Sequence, residues 1–308
     1  MSVQFQGDFV TLSLGESSAK VALKGATVLS YVHAGQDHLF VSSKSDPSLA
    51  SPAAVRGGVP VCWPIFGPPD LSNPLYAKMK QHGFARTSVW DFVEGESGED
   101  QGVKGGVKAV FKLTPNDSIA SLFPLPFTLL YTVLLLPACL KLTLHVSNPS
   151  SAIAPLPFQA LLHAYFRLPS GVKPKETLVT PLENLVFADK LQGGKEESER
   201  RRVVEVDGPG GEVDRVYYNT PDALTIAYSG RADSLQVTKK GFESVVLWNP
   251  GPKTASSISD MEPSGEEKYV CLEPGLIKPF HMLDPGREWE GIVEIQPSGG
   301  EGVAAAAL

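Results

Sequence analysis

Short β-type runs separated by turns dominate this chain and constrain its fold more than any other feature. The runs lie at residues 9–14, 19–23, 28–32, 108–113, 127–135 and 140–146. Glycine and proline supply 29 and 26 of the 308 residues, which would interrupt long helices, and no helical period is sustained. The pattern predicts an all-β fold, built as a large sandwich of two packed antiparallel sheets with few short helices.

The uncharged segment at residues 123–140 allows two interpretations. Its length is close to that of a transmembrane helix. Pro124, Pro126 and Pro137 would break such a helix, because proline lacks the backbone N–H that a helix interior uses. We therefore expect two buried strands here rather than a membrane span.

No break in composition divides the chain into two cores. An all-β architecture of this length can form a single unit. We therefore predict one β-sandwich domain over residues 1–297. Residues 298–308 are rich in glycine and alanine, and we expect them to form a flexible C-terminal tail.

The charge distribution limits the possible partners. A net charge of −7 argues against general affinity for nucleic acid or a membrane surface, although it allows a local cationic pocket. Residues 193–202 mix charges of both signs, and we expect a polar loop or a short exposed helix. An RNA-binding tract is the alternative, but the segment lacks aromatic residues that could stack on bases.

Cysteine content and the N-terminus both bear on location. Cys62, Cys139 and Cys271 are widely spaced and odd in number, which suggests neither a disulfide framework nor a zinc knuckle. The first residues lack the basic start and the apolar stretch of a secretory signal. We therefore expect a cytoplasmic protein in a reducing setting.

Four separated motifs combine cationic, aromatic and carboxylate side chains. They are Arg56-Gly57-Gly58 before an aromatic–proline run, Gln-His-Gly-Phe-Ala-Arg at 81–86, Leu-His-Ala-Tyr-Phe at 162–166 and Cys-Leu-Glu-Pro-Gly at 271–275. Such distant motifs can meet only if the fold gathers them into one pocket. Their combination predicts an anion-binding site with acid/base chemistry.

These motifs, together with Asp-Arg-Val-Tyr at 214–217 and Trp-Asn-Pro at 248–250, resemble the glucose-6-phosphate 1-epimerase family. Its members are hexose-6-phosphate mutarotases of the aldose 1-epimerase superfamily, and the likeness runs from about residue 9 to about residue 289. The resemblance implies a galactose-mutarotase-like β-supersandwich that interconverts the α and β anomers of a phosphorylated aldohexose without a cofactor. Residues 251–260 depart from the family pattern, which bears on sugar preference rather than on the acid/base residues.

Anomer exchange opens a hemiacetal by removing a proton from the anomeric hydroxyl and delivering one to the ring oxygen. Glu273 suits the base role, because partial burial raises a carboxyl pKa toward neutrality. His163, among aromatic neighbours on a predicted strand, is expected to protonate the ring oxygen. The alternatives are a core histidine bonded to a carbonyl and a surface carboxylate beside a turn.

A sugar phosphate carries about −1.5 to −2 charges near neutral pH, so a net-acidic protein needs focused cations to bind it. Arg56 and Arg86 can grip phosphate oxygens in bidentate fashion. Lys78 is a third candidate, with less fixed geometry. For the arginines, an internal salt bridge with an acidic residue is the alternative.

Further residues are expected to contact the sugar. Gln81 can bond sugar hydroxyls through both ends of its amide, and Asp214 can accept from hydroxyls or orient His163. His82 is expected to contact a hydroxyl or the ring-opened species, with structural support as the alternative. Candidates for an apolar wall against the pyranose, each also a candidate for the core, are Trp63, Phe66 and Trp248.

Together these observations predict a hexose-6-phosphate 1-epimerase that is a monomer and binds a small-molecule sugar phosphate. No metal or cofactor is expected. The sequence has no His-Glu-x-x-His motif, and no metal-like spacing from cysteine or acidic residues is found for His33, His38, His145 and His281. Two alternatives stay open: an aldose 1-epimerase for unphosphorylated sugars, and a non-catalytic β-sandwich that binds sugar phosphates.

Overall fold

The computed structural model describes residues 1–100 and 105–298, which fold mainly into antiparallel strands. The first strands are β1 (Ser2–Gln6), β2 (Phe9–Leu14), β3 (Ser17–Ala22), β4 (Val28–His33), β5 (Gln36–Asp37), β6 (Val61–Cys62), β7 (Asp91–Phe92) and β8 (Gly98–Glu99). Next come β9 (Val107–Leu113), β10 (Thr128–Leu136), β11 (Cys139–Ser147), β12 (Leu156–Leu162), β13 (Tyr165–Arg167), β14 (Thr177–Thr180), β15 (Val186–Asp189) and β16 (Lys195–Ser198). The last are β17 (Val204–Glu205), β18 (Val213–Tyr217), β19 (Ala223–Tyr228), β20 (Ser234–Lys240), β21 (Ser244–Asn249), β22 (Tyr269–Leu283) and β23 (Glu288–Ser298).

Within the described ranges, two short α-helices interrupt the strands, α1 (Asp117–Leu122) and α2 (Gly251–Ala255). Single 3₁₀ turns occur at Ala85–Thr87, Glu94–Glu96, Pro174–Glu176, Lys190–Gln192, Pro209–Gly211 and Gly265–Lys268. The Asn116 side chain caps α1 by accepting a hydrogen bond from the N–H of Ile119. All of these helices are too short to carry a core of their own.

The strands form three sheets rather than the two that the sequence predicts. A meander of five strands follows the order β1-β2-β3-β4-β5. Ten strands form the second sheet, in the order β17-β14-β19-β20-β23-β11-β10-β9-β7 with β8 also paired to β9. Eight strands form the third, in the order β16-β15-β18-β21-β22-β12-β6 with β13 also paired to β22. The predicted all-β class is confirmed, while the sheet count depended on pairings that a single sequence does not reveal.

The uncharged segment forms strands, as predicted. Strands β10 and β11 make a hairpin that pairs over its full length, from Thr128 opposite Ser147 to Leu136 opposite Cys139. Alternate residues of β11 are buried, beginning with Leu140. Among the described residues we find no helix with the length and apolar character that a membrane crossing requires.

One prediction for a local segment is wrong in part. Within the charged segment 193–202, Lys195–Ser198 is an edge strand paired with β15, so the predicted loop or short helix is wrong there. An edge strand tolerates charges because its side chains face solvent and its outer edge is unpaired.

At the C-terminus, Ser298 ends β23, and the rest of the predicted tail, residues 299–308, lies outside the described residues.

Buried apolar residues from all three sheets form one large core cluster. It includes Val10 of the meander, Leu142 of the ten-stranded sheet and Leu272 of the eight-stranded sheet. A cluster of this kind buries the apolar face of each sheet against the others. The opposite face of the eight-stranded sheet carries a smaller apolar cluster that includes Val216 and Val246, together with buried polar side chains such as Glu273.

Candidate active site

Strand register brings two of the predicted motifs together. Strands β12 and β13 both pair with β22, and the flanking pairs are Leu161–Gly275 and Tyr165–Cys271. Continuing that register through the interruption between β12 and β13 places His163 opposite Glu273. Strand β21 lies on the other side of β22 and pairs Val246 with Glu273. Two residues far apart in sequence therefore become neighbours on one face of one sheet.

A cavity of about 140 Å³ opens over this face. Its lining comprises Arg56, Phe66, Gln81, His82, Arg86, His163, Lys190, Asp214, Val246, Trp248 and Glu273. Seven of the eight polar residues that the sequence singled out for chemistry or substrate contact are in this set. The eighth, Lys78, is exposed and is not among the lining residues, whereas Lys190 is.

His163 and Glu273 form a buried pair at the base of the cavity. His163 Nδ1 lies 3.4 Å from Glu273 Oε1, and the two residues are 7% and 1% exposed. In the described part of the chain, neither His163 Nδ1 nor Glu273 Oε2 has a hydrogen-bond partner. Buried polar atoms without partners are costly, so these two atoms are available to a ligand.

Burial shifts both pKa values of the pair toward neutral forms. Desolvation raises the pKa of Glu273 well above its ordinary 4.5, while the nearby charge of Lys190 acts in the opposite sense. Desolvation lowers the pKa of His163 well below 6.5, and the nearby His82 and Arg86 reinforce that shift. Both shifts favour the state in which the imidazole is neutral and the carboxyl group keeps its proton.

Aromatic rings fix the orientation of His163. Its ring stacks on Tyr165 with centroids 4.8 Å apart and an interplanar angle of 12°. The rings of Trp248 and His82 each contact it edge-on, both at 5.7 Å. This packing restrains the imidazole without using either of its nitrogens for the restraint.

His82 is held by the backbone of Gly67. The Gly67 N–H donates to His82 Nδ1 at 3.1 Å, and the His82 N–H donates to the Gly67 carbonyl at 2.8 Å. Because a backbone N–H can only donate, Nδ1 is unprotonated and Nε2 carries the proton of the neutral ring. The Gln81 amide lies 3.1 Å from Nε2, and the orientation that satisfies both groups presents the amide oxygen to it. Burial lowers the pKa of His82 well below 6.5, which keeps the ring neutral.

The turn that carries Gln81 and His82 depends on left-handed backbone. His82 has φ of 66° and Gly83 has φ of 71°. A Cβ atom on Gly83 would overlap the backbone of Trp63 and Pro64. Glycine is therefore required for this close approach, and the strained conformation of His82 points its ring toward His163.

Arg56 is fixed by two partners. Its Nε donates to Asp260 Oδ1 at 3.1 Å, and its Nη1 donates to the Tyr165 hydroxyl at 3.3 Å. The salt bridge expected as the alternative to phosphate binding therefore exists, but it engages one part of the guanidinium while the side chain still lines the cavity. Asp260 thus aims Arg56 and offsets part of its charge.

Arg86 and Lys190 supply further positive charge. Arg86 Nη2 donates to the Gln81 carbonyl at 2.9 Å, and its buried Nε has no partner in the part of the chain that the structure describes. Lys190 Nζ lies 3.4 Å from Asp214 Oδ1 and 4.4 Å from the centroid of the Phe66 ring. The cavity therefore combines three cationic side chains with the buried pair.

Asp214 occupies the same row of the sheet as Trp248, its partner on β21. Burial raises the pKa of its carboxyl, with Lys190 acting against that shift. Like Trp248, Phe66 lines the cavity, as expected of an apolar wall. Trp63 is fully buried and packs on Phe127 with centroids 4.5 Å apart, so its expected place in the wall is wrong and it belongs to the core.

Sequence reasoning missed Lys190 and the partners of Arg56. Lys190 directly follows β15, in which Asp189 pairs with Arg215. The next residues in that register are Lys190 and Asp214, and their side chains form an ion pair. No spacing along the chain signals that neighbour. Asp260 lies in the small-residue segment that departs from the family pattern, which gave no reason to connect it with Arg56.

The antiparallel sheets of this chain form the galactose-mutarotase-like sandwich fold. The aldose 1-epimerase family model matches residues 8–296, and the chain belongs to that family. It is therefore an epimerase that acts on carbohydrate.

Similar proteins agree with this assignment. The chain is 31% identical to an Escherichia coli K12 protein over 86% of this chain and 82% of that protein. It is 29% identical to a Cenchrus ciliaris protein over 90% of this chain and 80% of that protein. Both relatives carry the provisional name glucose-6-phosphate 1-epimerase. Among solved structures, the provisionally named mutarotase YeaD of Salmonella typhimurium superposes with a TM-score of 0.82, at 25% identity, over 96% of this chain and 93% of that one.

Proposed function

We propose that this protein interconverts the α and β anomers of D-glucose 6-phosphate or a related hexose 6-phosphate. The observation that carries the proposal is the presence of the His163–Glu273 pair and three cationic side chains in one cavity. A pair of that kind suits hemiacetal opening, and a cluster of cations suits a phosphorylated sugar. The names of the similar proteins support the same substrate class.

The reaction needs one base and one acid at the anomeric centre. The state with ionised Glu273 and protonated His163 contains the same number of protons as the neutral pair. Forming it therefore requires a proton shift from carboxyl to imidazole and no proton from solvent. Glu273 then removes the C1 hydroxyl proton, while His163 donates its proton to the ring oxygen.

Ring opening gives the free aldehyde, which rotates about the C1–C2 bond. Closure on the other face of the carbonyl reverses both proton transfers and yields the second anomer. No covalent bond to the protein forms. The Nε2–H of His82, which faces the Gln81 amide, can exchange that bond for one to a sugar oxygen that gains negative charge during opening.

Phosphate binding falls to Arg56, Arg86 and Lys190. The bond between Arg56 and Asp260 fixes the guanidinium plane, which lowers the conformational entropy lost when an anion binds. Arg86 brings an unpartnered Nε–H, and Lys190 brings a mobile ammonium group. Gln81 and Asp214 are proposed to bond sugar hydroxyls, and Phe66 and Trp248 are proposed to pack on the ring.

The direct test is magnetisation-exchange NMR between the two anomers of glucose 6-phosphate, with and without the protein. We expect acceleration that is lost in Glu273→Gln and in His163→Ala while both variants stay folded. Full acceleration in either folded variant would contradict the proposed mechanism.

Two other functions make different predictions. An aldose 1-epimerase for free sugars would act equally on glucose and its 6-phosphate and would be indifferent to Arg86→Ala. A non-catalytic sensor would bind the sugar phosphate without accelerating exchange. Family membership and the retained pair favour catalysis, and the three cations favour the phosphorylated substrate.

Three expectations from the sequence extend this proposal. We propose that residues 1–297 form one domain, which the shared core cluster supports. We also propose that the protein acts as a monomer in the cytoplasm. Its proposed partner is the small-molecule hexose 6-phosphate, with neither nucleic acid nor membrane involved.

A further inference from the structure

A third chemically reactive side chain lies beside the proposed acid/base pair. Cys271 and Glu273 are two residues apart on β22, so their side chains point to the same face of the sheet. One ligand-capable atom from each of Cys271, Glu273 and His163 lies within 4.8 Å of the others, and all three residues are buried. Cys271 has no role in the proposed anomer exchange.

The donor set matches a soft or borderline divalent cation. Sulfur, imidazole nitrogen and carboxylate oxygen are the ligands of zinc sites in proteins, and three protein ligands with one open position are typical where the metal remains accessible. In a tetrahedral site with such bond lengths, ligand atoms lie roughly 3.5 Å apart. His163 Nδ1 and Glu273 Oε1 are already 3.4 Å apart, and no separation in the cluster exceeds 4.8 Å. Side-chain rotation therefore has to close a gap of at most roughly 1.3 Å.

Two further observations point to a ligand at this position. His163 Nδ1 and Glu273 Oε2 are buried without hydrogen-bond partners among the described residues. His163 and Glu273 also line the cavity, so a cation held by the cluster would keep its fourth coordination position toward the cavity. Cys271 is fully buried and is not among the cavity-lining residues, so it would bind the cation from the side of the protein interior.

We propose that His163, Cys271 and Glu273 bind Zn²⁺, or a chemically similar cation such as Cd²⁺, and that the bound cation excludes the sugar. Binding makes bonds from the metal to sulfur, nitrogen and oxygen, and the Cys271 thiol and the Glu273 carboxyl group each release a proton to solvent. Exclusion follows because the same histidine and carboxylate cannot serve the metal and the hemiacetal together. The metal-binding part is independent of the proposed function; the inhibition part rests on it.

The cationic surroundings set the strength of this site. Arg56, Arg86 and Lys190 line the same cavity and repel a dication. Binding is therefore expected to be reversible and weaker than in a closed structural zinc site. A cation held in this way would inhibit the enzyme rather than form part of its fold.

Cadmium titration of the intact protein without sugar tests the site directly. We expect one equivalent of Cd²⁺ to produce an ultraviolet thiolate-to-cadmium charge-transfer band. The band should vanish in Cys271→Ala and persist in the matched thiol deletions Cys139→Ala and Cys62→Ala. Absence of the band from the wild-type protein, or its persistence in Cys271→Ala, would overturn the proposal.

A second variant, His163→Ala, tests the site if Cys271→Ala is poorly folded. This variant keeps the thiol, so the charge-transfer band should remain. Because one ligand is lost, the free Cd²⁺ concentration needed to saturate the band should rise at least about tenfold. An unchanged saturation curve would show that the imidazole is not a ligand and would overturn the three-residue site.

Inhibition is tested separately, at buffered free Zn²⁺ concentrations. Zn²⁺ should inhibit anomer exchange by the wild-type protein, and the inhibition should be competitive with respect to the sugar phosphate. Cys271→Ala should need at least about tenfold more Zn²⁺ for the same inhibition. Equal sensitivity of both proteins would refute inhibition through Cys271. If the protein does not accelerate exchange at all, the proposed function fails while the cadmium result still decides the metal site.

Discussion

Glu273 carries a cost to stability that its chemistry explains. The carboxyl is 1% exposed, and one of its oxygens has no hydrogen-bond partner among the described residues. Because burial raises its pKa, the folded protein keeps a proton that the unfolded chain releases above pH 4.5. Stability is therefore lost as the pH rises from 4.5 toward the folded-state pKa. Active sites commonly carry such a stability penalty.

Glu273→Gln separates this penalty from the chemistry. The amide cannot act as a base, so anomer exchange should fall by about 10²–10⁴-fold. At neutral pH the melting temperature should rise by about 2–6 °C, because the buried ionisable group is gone. The gain should shrink below pH 4.5, where the wild-type carboxyl is protonated in both states. A variant that is inactive and less stable at neutral pH would contradict the account.

The pH dependence of anomer exchange shows how many titratable protons His163 and Glu273 hold together in the active protein. Activity requires one proton shared by His163 and Glu273. On the acid side the rate should fall only as the pH drops through the pKa of His163, which lies well below 6.5, because the pair then gains a second proton. On the alkaline side it should fall as the pH rises through the pKa of Glu273, which lies well above 4.5, because the pair then loses its proton. The check is kcat/KM against pH in buffer with a chelator, and a rate that rises continuously through neutrality would contradict a one-proton pair.

At the scale of single elements, the 3₁₀ turn Lys190–Gln192 after β15 contributes the cation that the sequence did not reveal. Lys190→Ala should lower kcat/KM for glucose 6-phosphate by about 5–50-fold, the loss expected for one charge-assisted contact, with most of the effect in KM. Lys195→Ala is the matched control, because Lys195 is an exposed lysine on the neighbouring strand β16 and pairs with Glu197. Equal effects of the two substitutions in steady-state kinetics would remove Lys190 from the proposed phosphate site.

The glycine pair after Arg56 holds that arginine in place through backbone contact. Gly58 has φ of 66°, and a Cβ atom there would overlap the carbonyl oxygen of Val28. Gly58→Ala should therefore lower the free energy of unfolding by about 2–4 kcal/mol in urea titration. Gly35→Ala has a comparable φ of 76° with open space around it, and it should cost about 1 kcal/mol. Similar losses at both positions would show that the close approach is not what requires Gly58.

Elements with local signals were predictable. The hairpin of β10 and β11 follows from an uncharged run with prolines that exclude a helix. Strand β16 was not predicted, because its charged residues are ordinary for a solvated loop and become a strand only through pairing with β15. Local composition therefore identified strands that are buried and missed one that depends on its neighbour.

At the scale of the whole molecule, the site depends on long-range register. Every motif was visible in the sequence, and the resemblance to one family connected His163 with Glu273. Lys190 and Asp260 gave no comparable signal, because each enters the site through a partner distant along the chain. Cys271 lay inside a visible motif, but nothing in that motif indicated that its sulfur lies close to His163. Lys78 lies close in sequence to the motif at residues 81–86, which does reach the cavity. Lys78 itself is exposed and is not among the cavity-lining residues.

The most direct measurement is anomer exchange on glucose 6-phosphate and on glucose, compared between the wild-type protein and Arg86→Ala by magnetisation-exchange NMR. The account predicts that the wild-type protein strongly favours the phosphorylated sugar. Arg86→Ala should reduce that preference by about 10–100-fold, since one charge-assisted hydrogen-bond donor is lost, and should leave the rate on glucose nearly unchanged. Equal wild-type rates on both sugars, with no effect of Arg86→Ala, would contradict a hexose-phosphate epimerase.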